Sequence, residues 1–204
     1  MNPQNLLKGQ VLEGLLSTLF KRANYKVVPL GVEHQFPDID ALTVEEYKDQ
    51  LPESLRMLPD FMVYRWETGK PKVFFVEAKY RTELTQSSLS SLRKSLERQY
   101  KRWSETYCIL ALANPPVRYQ EEKDYHHRYL KVIDLRELDA YPNNPKDFWQ
   151  KAGDITKVFP EFESFMKANP LVEKLGIDYA QSLEPLLDDS VKIIKALGSI
   201  IPRQ

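Results

Sequence analysis

Residues 58–81 read LPDFMVYRWETGKPKVFFVEAKYR and contain two strand-like runs. The runs Phe61–Trp66 and Lys72–Ala78 are rich in aromatic and β-branched residues, which favour strands. They flank a short polar segment centred on Gly69, and glycine is a residue that tight turns between strands often require. This stretch therefore predicts an antiparallel β-hairpin.

The register of this hairpin brings two carboxylates together. A two-residue turn at Thr68-Gly69, or a four-residue loop around it, places Asp60 directly opposite Glu77, whereas a three-residue turn shifts the register by one. Opposed side chains lie roughly 5 Å apart, so two carboxylates there are costly unless one is protonated or a cation lies between them. Lys79 falls on the same face as Glu77 because side chains alternate along a strand. The group suits a divalent-metal site with a lysine beside a metal-bound water, and the alternative is a solvent-facing salt-bridge cluster on an exposed sheet.

The segments on either side of the hairpin predict an α/β domain. The expected elements are a helix at 4–23, a strand at 25–30, a short helix at 43–50, a helix at 85–103 and strands at 107–113 and 129–135. The strand at 107–113 reads YCILALA, a continuous apolar run typical of a strand that is buried on both faces. From about residue 139 prolines interrupt short helical segments. We therefore expect a core domain over 1–138 with a mixed sheet, and a helical C-terminal extension over 139–204.

The same residues resemble the signature of the PD-(D/E)XK nuclease superfamily. Pro-Asp stands at the head of one hairpin strand and Glu-x-Lys in its partner, and the order helix, three strands, helix, strand covers roughly residues 5–135. The resemblance implies a restriction-endonuclease-like fold and a Mg²⁺-dependent deoxyribonuclease, with Mn²⁺ as a substitute for Mg²⁺. By motif match, Asp60, Glu77 and the carbonyl of Ala78 would hold the metal, and Lys79 would position and help deprotonate the attacking water.

Two further site residues enter through the resemblance. Many members carry a metal-binding glutamate on the first core helix, and Glu13 is the match here; the alternative is a solvated glutamate beside the apolar stripe of its helix. Members of the RecB-like branch place a glutamine on the helix after the motif and a tyrosine four residues later, and this chain has Gln99 but Trp103. A glutamine on an apolar helix face needs a hydrogen-bond partner, which is either a group of the site or a backbone carbonyl.

Four arginines form a candidate nucleic-acid surface on a chain with no net charge. The chain has 29 basic and 29 acidic residues, so any site for nucleic acid has to be a local patch. Arg93, Arg98 and Arg102 recur at near-helical spacing, and Arg81 lies close to the acid pair in sequence. They are expected to contact the phosphates of DNA, with RNA as a further possibility; the alternative is a solvated helix face.

Other chemistry-bearing residues rank below these. Asp38 and Asp40 form a competing Pro-Asp motif that would serve as a supplementary metal ligand, and His126-His127 is expected in a surface loop. Cys108 is the only cysteine, which excludes an internal disulfide framework and a multi-cysteine zinc site, and its apolar neighbours predict an inert core residue.

Cellular location and assembly follow from simpler observations. No apolar run approaches the roughly 20 residues that a membrane-spanning helix needs, and the N-terminus lacks the pattern of a secretory signal, so we expect a cytoplasmic protein with no membrane partner. The C-terminal helices, above all residues 186–201, either pack within the chain or bind a second copy or a partner protein. The alternative to a nuclease is a catalytically inactive nuclease-fold protein used for nucleic-acid binding or assembly.

Overall fold

The computed structural model describes residues 3–36, 39, 42–116, 129–162 and 183–199. Asp38, Asp40 and His126-His127 lie outside the described residues, as does part of the segment 186–201. The helices are α1 (Pro3–Arg22), α2 (Val32–Gln35), α3 (Val44–Gln50), α4 (Glu53–Arg56), α5 (Gln86–Arg102), a 3₁₀ helix (Leu135–Ala140), α6 (Pro145–Lys151), α7 (Ile155–Val158) and α8 (Leu183–Ser199). The strands are β1 (Lys26–Pro29), β2 (Phe61–Glu67), β3 (Lys70–Glu83), β4 (Thr106–Asn114) and β5 (Leu130–Asp134).

The strands form one mixed sheet with the spatial order β1-β2-β3-β4-β5. Neighbouring strands are antiparallel except β3 and β4, which are parallel and are joined through α5. Two parallel strands need such a crossover connection because, after the first strand, the chain has to return to the end of the sheet at which that strand began. The prediction of an α/β fold with a mixed sheet is therefore confirmed.

The hairpin has the predicted two-residue turn. Thr68 and Gly69 both have positive φ, 46° and 81°, as a type I′ turn requires. Phe61 pairs with Val76, which is the register predicted for this turn. β3 is longer than predicted and continues to Glu83, because the part beyond the hairpin pairs with β4 instead of β2.

Two hydrophobic clusters cover opposite faces of the sheet. One contains α1 with alternate side chains of the strands, and α5, the 3₁₀ helix and α6 contribute to the other. Along β4, Ile109 and Ala111 belong to the first cluster, whereas Cys108, Leu110 and Leu112 belong to the second. Burial of β4 on both faces is thus confirmed, and Cys108 is a fully buried core residue as predicted.

The chain after residue 138 packs onto these same two clusters. Phe148 and Trp149 of α6 complete the second cluster, while Phe159 and Phe162 join the first together with Ile194 of α8. The described part of the extension therefore packs within the chain, which was one of the two alternatives. None of the described helices is at once long and apolar enough to cross a bilayer.

Candidate active site

Asp60 lies at the point where the chain enters β2. The N–H groups of Leu30 and Gly31 donate hydrogen bonds to its backbone carbonyl, over 2.9 and 3.4 Å. Its side-chain Oδ2 accepts a hydrogen bond from the backbone N–H of Ala78, with an N···O distance of 2.6 Å. Asp60 is therefore fixed on two sides, and its carboxylate lies against β3 beside Glu77.

Glu77 and Lys79 lie on the side of β3 that faces away from α1. Val76 and Ala78 point into the cluster with α1, so alternation directs Glu77 and Lys79 to the other side. Lys79 Nζ forms an ion pair with Glu77 Oε1, and the two side chains are 24% and 8% exposed. Among the residues that the structure describes, Glu77 Oε2 is buried and has no hydrogen-bond partner. A buried acceptor without a partner is costly, which makes this oxygen the natural position for a ligand.

The electrostatics of the site record an excess of negative charge. Burial and the neighbouring charge of Glu77 raise the pKa of Asp60 well above its usual range, with a further contribution from Glu13, against the opposing effects of Lys79 and of the Ala78 N–H. Burial opposes the charged form of Lys79, but the carboxylates of Glu77 and Asp60 outweigh it and raise the pKa of Lys79. The site therefore favours positive charge.

Glu13 approaches this group from α1. Its side chain is half-buried, and its charge is near enough to contribute to the raised pKa of Asp60. The structure thus brings three of the predicted site residues, Asp60, Glu77 and Lys79, together at one end of the hairpin, while Glu13 is near enough to influence the pKa of Asp60. Behind them Cys108 pairs with Glu77 in the parallel ladder, and burial raises the pKa of its thiol, which keeps it neutral.

The donor atoms of the site suit a hard divalent cation. Mg²⁺ prefers carboxylate oxygens and is commonly held by one or two of them, with waters filling its other positions. Asp60 and Glu77 supply two such groups, and Glu77 Oε2 is the buried oxygen that lacks a partner. Within the described ranges, no three histidine, cysteine or acidic side chains form a ready-made cage. Asp60 and Glu77 are therefore the two carboxylates that would hold such an ion.

Gln99 occupies a buried position beside the chain that leads to Asp60. Its side chain is 4% exposed, and Nε2 donates a hydrogen bond of 2.9 Å to the carbonyl of Met57. Of the two hydrogen-bond partners considered for this glutamine, the structure thus shows the backbone carbonyl. Trp103, which stands at the tyrosine position of the RecB-like pattern, packs against Phe75 with ring centroids 5.3 Å apart. Gln99 therefore ties α5 to the segment that positions Asp60.

The four arginines do not form one row of equivalent side chains. Arg93 donates to the carbonyls of Tyr141, Pro142 and Leu138, which ties α5 to the 3₁₀ helix. Arg102 pairs with Glu53 at 2.9 Å, and Arg98 is exposed nearby on α5.

Arg81 is half-buried on β3, where it donates to the carbonyl of Tyr80 and burial lowers its pKa. A phosphate-binding role would thus draw on Arg98 before Arg93, since Arg98 is exposed and Arg93 is held by three backbone carbonyls.

Two contacts of the site carried no signal in the sequence. One is the N–H of Ala78, which holds the Asp60 carboxylate, and the other is the carbonyl of Met57, which receives Gln99. Backbone groups show no residue type by which a sequence could mark them.

None of the protein-family models, curated proteins or solved structures compared with this chain matches it.

Proposed function

We propose that this protein is a metal-dependent nuclease that hydrolyses DNA phosphodiester bonds. The observation that carries the proposal is the group formed by Asp60, Glu77 and Lys79, in which carboxylates outnumber the ammonium and Glu77 Oε2 is buried without a partner among the described residues. Such a group lacks positive charge, and a divalent cation would supply it.

The arrangement of elements supports a restriction-endonuclease-like fold for this site. A helix, an antiparallel three-stranded meander, a second helix and a parallel strand follow one another as α1, β1–β3, α5 and β4. This is the core order of the PD-(D/E)XK superfamily that the motif itself resembles. The element order and the motif therefore both support the proposed fold, and the proposed chemistry rests on the site residues.

In the proposed site each residue has one role. Asp60 and Glu77 would hold Mg²⁺ or Mn²⁺, with Glu13 and the carbonyl of Ala78 as further ligands, and the bound ion would supply Lewis acidity toward the phosphate and a water of lowered pKa. Lys79 would orient the attacking water and stabilise negative charge that develops on the phosphate. Gln99 would keep Asp60 in position through Met57, and Arg81 and Arg98 would contact the substrate backbone.

A cleavage assay at low salt tests the proposal. Labelled single-stranded, duplex, flapped and four-way-junction DNA and RNA are incubated with Mg²⁺ or Mn²⁺, beside EDTA. We expect metal-dependent cleavage of DNA that Glu77→Gln abolishes and that Glu97→Gln, a change at an exposed glutamate of α5, leaves intact. Absence of cleavage by the folded wild type on every substrate would contradict the proposal.

One observation favours the inactive, nucleic-acid-binding or assembly alternative. Lys79 already neutralises one oxygen of Glu77, so the site is partly balanced without a metal. Thermal unfolding with and without Mn²⁺ separates the two functions, because a ligand that binds only the folded state raises its stability. A rise in Tm that Asp60→Asn removes supports the metal site, and an unchanged Tm at millimolar Mn²⁺ supports the alternative.

A further inference from the structure

An open, largely apolar surface adjoins the acid pair on the sheet. Val63 and Phe74 point into the cluster with α1, so the alternate side chains of β1–β3 lie on the opposite side. Cross-strand pairs place them in rows, since Met62 pairs with Phe75 and Tyr64 pairs with both Lys26 and Val73. We call this surface the aromatic face and define it by Lys26, Met62, Tyr64, Trp66, Val73 and Phe75.

The aromatic face is exposed where a core strand would be covered. Trp66 is 67% exposed and Val73 is 45% exposed, whereas β4 is buried on both of its faces. Tyr64 is half-buried and lies one row closer to the acid pair than Trp66. The ring of Phe75 is packed against Trp103, whereas Tyr64 and Trp66 have no ring contact among the described residues.

The aromatic face runs directly into the candidate active site. Asp60 precedes Phe61 on β2, and Glu77 follows Val76 on β3, so the acid pair forms the next row after Met62 and Phe75. From Asp60 to Trp66 the strand covers about 20 Å. A flexible chain lying along this surface would therefore pass from Trp66 to the carboxylates without leaving the sheet.

The charge on the aromatic face suits an anionic chain. Its six residues include no carboxylate, and the one charged side chain among them is Lys26, which is exposed. Unpaired bases stack readily on exposed aromatic rings, and base stacking tolerates any sequence because every base has a π-face. The polar side-chain groups of the face are the Tyr64 hydroxyl, the Trp66 indole N–H and the Lys26 ammonium, and none of them carries negative charge.

We propose that the aromatic face binds single-stranded DNA, with bases stacked on Trp66 and Tyr64 and the backbone led to the acid pair. The inference deepens the proposed nuclease function and rests on it for the fate of the bound strand. A duplex fits this surface poorly because its bases are already stacked on one another. The substrate class is therefore single-stranded DNA, or the unpaired arm of a branched DNA.

Fluorescence anisotropy with a labelled dT12 oligonucleotide in EDTA tests the proposal without any need for cleavage. We expect Trp66→Leu and Tyr64→Leu each to weaken binding about tenfold, while Trp66→Phe stays close to the wild type because a ring is retained. Trp66→Phe is the matched control, since leucine and phenylalanine are both apolar and only phenylalanine keeps a ring on which a base can stack. Trp66 is exposed, so the two Trp66 variants should unfold at the wild-type temperature.

Four results would overturn the inference. They are equal dT12 affinity for the leucine and phenylalanine variants, tighter binding to a 12-mer duplex than to dT12, tighter binding to U12 than to dT12, and a dimer in sedimentation that Trp66→Leu dissociates.

Cleavage separates this inference from the nuclease proposal. If Glu77→Gln abolishes cleavage and Trp66→Leu cleaves single-stranded DNA at the wild-type rate, the nuclease proposal is supported. The proposal that the aromatic face binds the strand is then wrong. If dT12 binding depends on Trp66 but no substrate is cleaved, DNA binding by the aromatic face is supported and the nuclease proposal is wrong.

Discussion

Two lysine–carboxylate pairs in this molecule are both largely shielded from solvent, yet they differ in charge balance. Lys131 of β5 pairs with Asp154 at 2.8 Å, with side chains 8% and 20% exposed, and Lys157 lies 3.8 Å from the same aspartate. Lys79 pairs with Glu77, but Asp60 and Glu13 lie close by and add negative charge.

The two pairs teach what separates a structural ion pair from a candidate site. At Asp154 the cations balance or exceed the anion, so the pair is complete and ties β5 to the N-terminus of α7. At Glu77 the carboxylates outnumber the ammonium, and Oε2 is a buried acceptor without a partner among the described residues. A group with excess negative charge is stabilised when one carboxyl takes up a proton or when a cation binds.

The largest expected effect contrasts the two lysines in catalysis. Lys79→Met should lower the rate of DNA cleavage by at least about a hundredfold, because it removes a charge directed at the reacting phosphate. Lys131→Met should leave the rate per folded molecule unchanged. Single-turnover cleavage, corrected for the folded fraction, measures the rate of each variant. Equal losses of rate in the two variants would contradict a special role of Lys79.

The next effect concerns stability. Lys131→Met should lower the free energy of unfolding by about 3 kcal/mol, because Asp154, which is 20% exposed, loses the nearer of the two lysines that pair with it. Urea unfolding followed by circular dichroism measures the change. The double variant Lys131→Met/Asp154→Leu should recover most of the loss, and a double variant as unstable as the single one would contradict this account.

A smaller effect tests the support behind Asp60. Gln99→Leu should lower the free energy of unfolding by about 1–2 kcal/mol, because the Met57 carbonyl loses its donor. It should also slow cleavage, while Gln99→Glu, which cannot donate when ionised, should behave like the leucine variant. Wild-type cleavage in both would show that Asp60 is positioned without Gln99.

The smallest effect is expected at the exposed pair of Arg102 and Glu53. Their side chains are 50% and 49% exposed, and water and salt screen such pairs, so they contribute little to stability. Arg102→Ala should therefore leave the urea midpoint nearly unchanged. A loss comparable to that of Lys131→Met would mean that this pair, too, is structurally essential.

Much of the fold could be predicted because it depends on local patterns. Leu89, Leu92 and Leu96 recur at helical spacing and become the buried face of α5, and the apolar run of β4 is buried as expected. The short helices α2 and α4 were not predicted, since four residues carry too little periodicity to be recognised. The extension of β3 to Glu83 was missed because it depends on pairing with β4, a strand distant in sequence.

The sequence by itself narrowed the geometry of the acid pair to two possible registers. Thr68 and Gly69 form a two-residue turn, the turn sets the register, and strand alternation then brings Asp60, Glu77 and Lys79 together. Each step involves residues close in sequence, but the sequence left a three-residue turn open, and the two-residue turn was decided only in the structure.

Only the tertiary structure decided the rest of the site. Gln99 reaches Met57 across 42 residues, Arg93 reaches Tyr141 across 48, and Glu13 approaches Asp60 from another element. These partners are chosen by how helices pack on the sheet, and the spacing of polar residues along a helix does not specify the backbone carbonyl or carboxylate that each one meets.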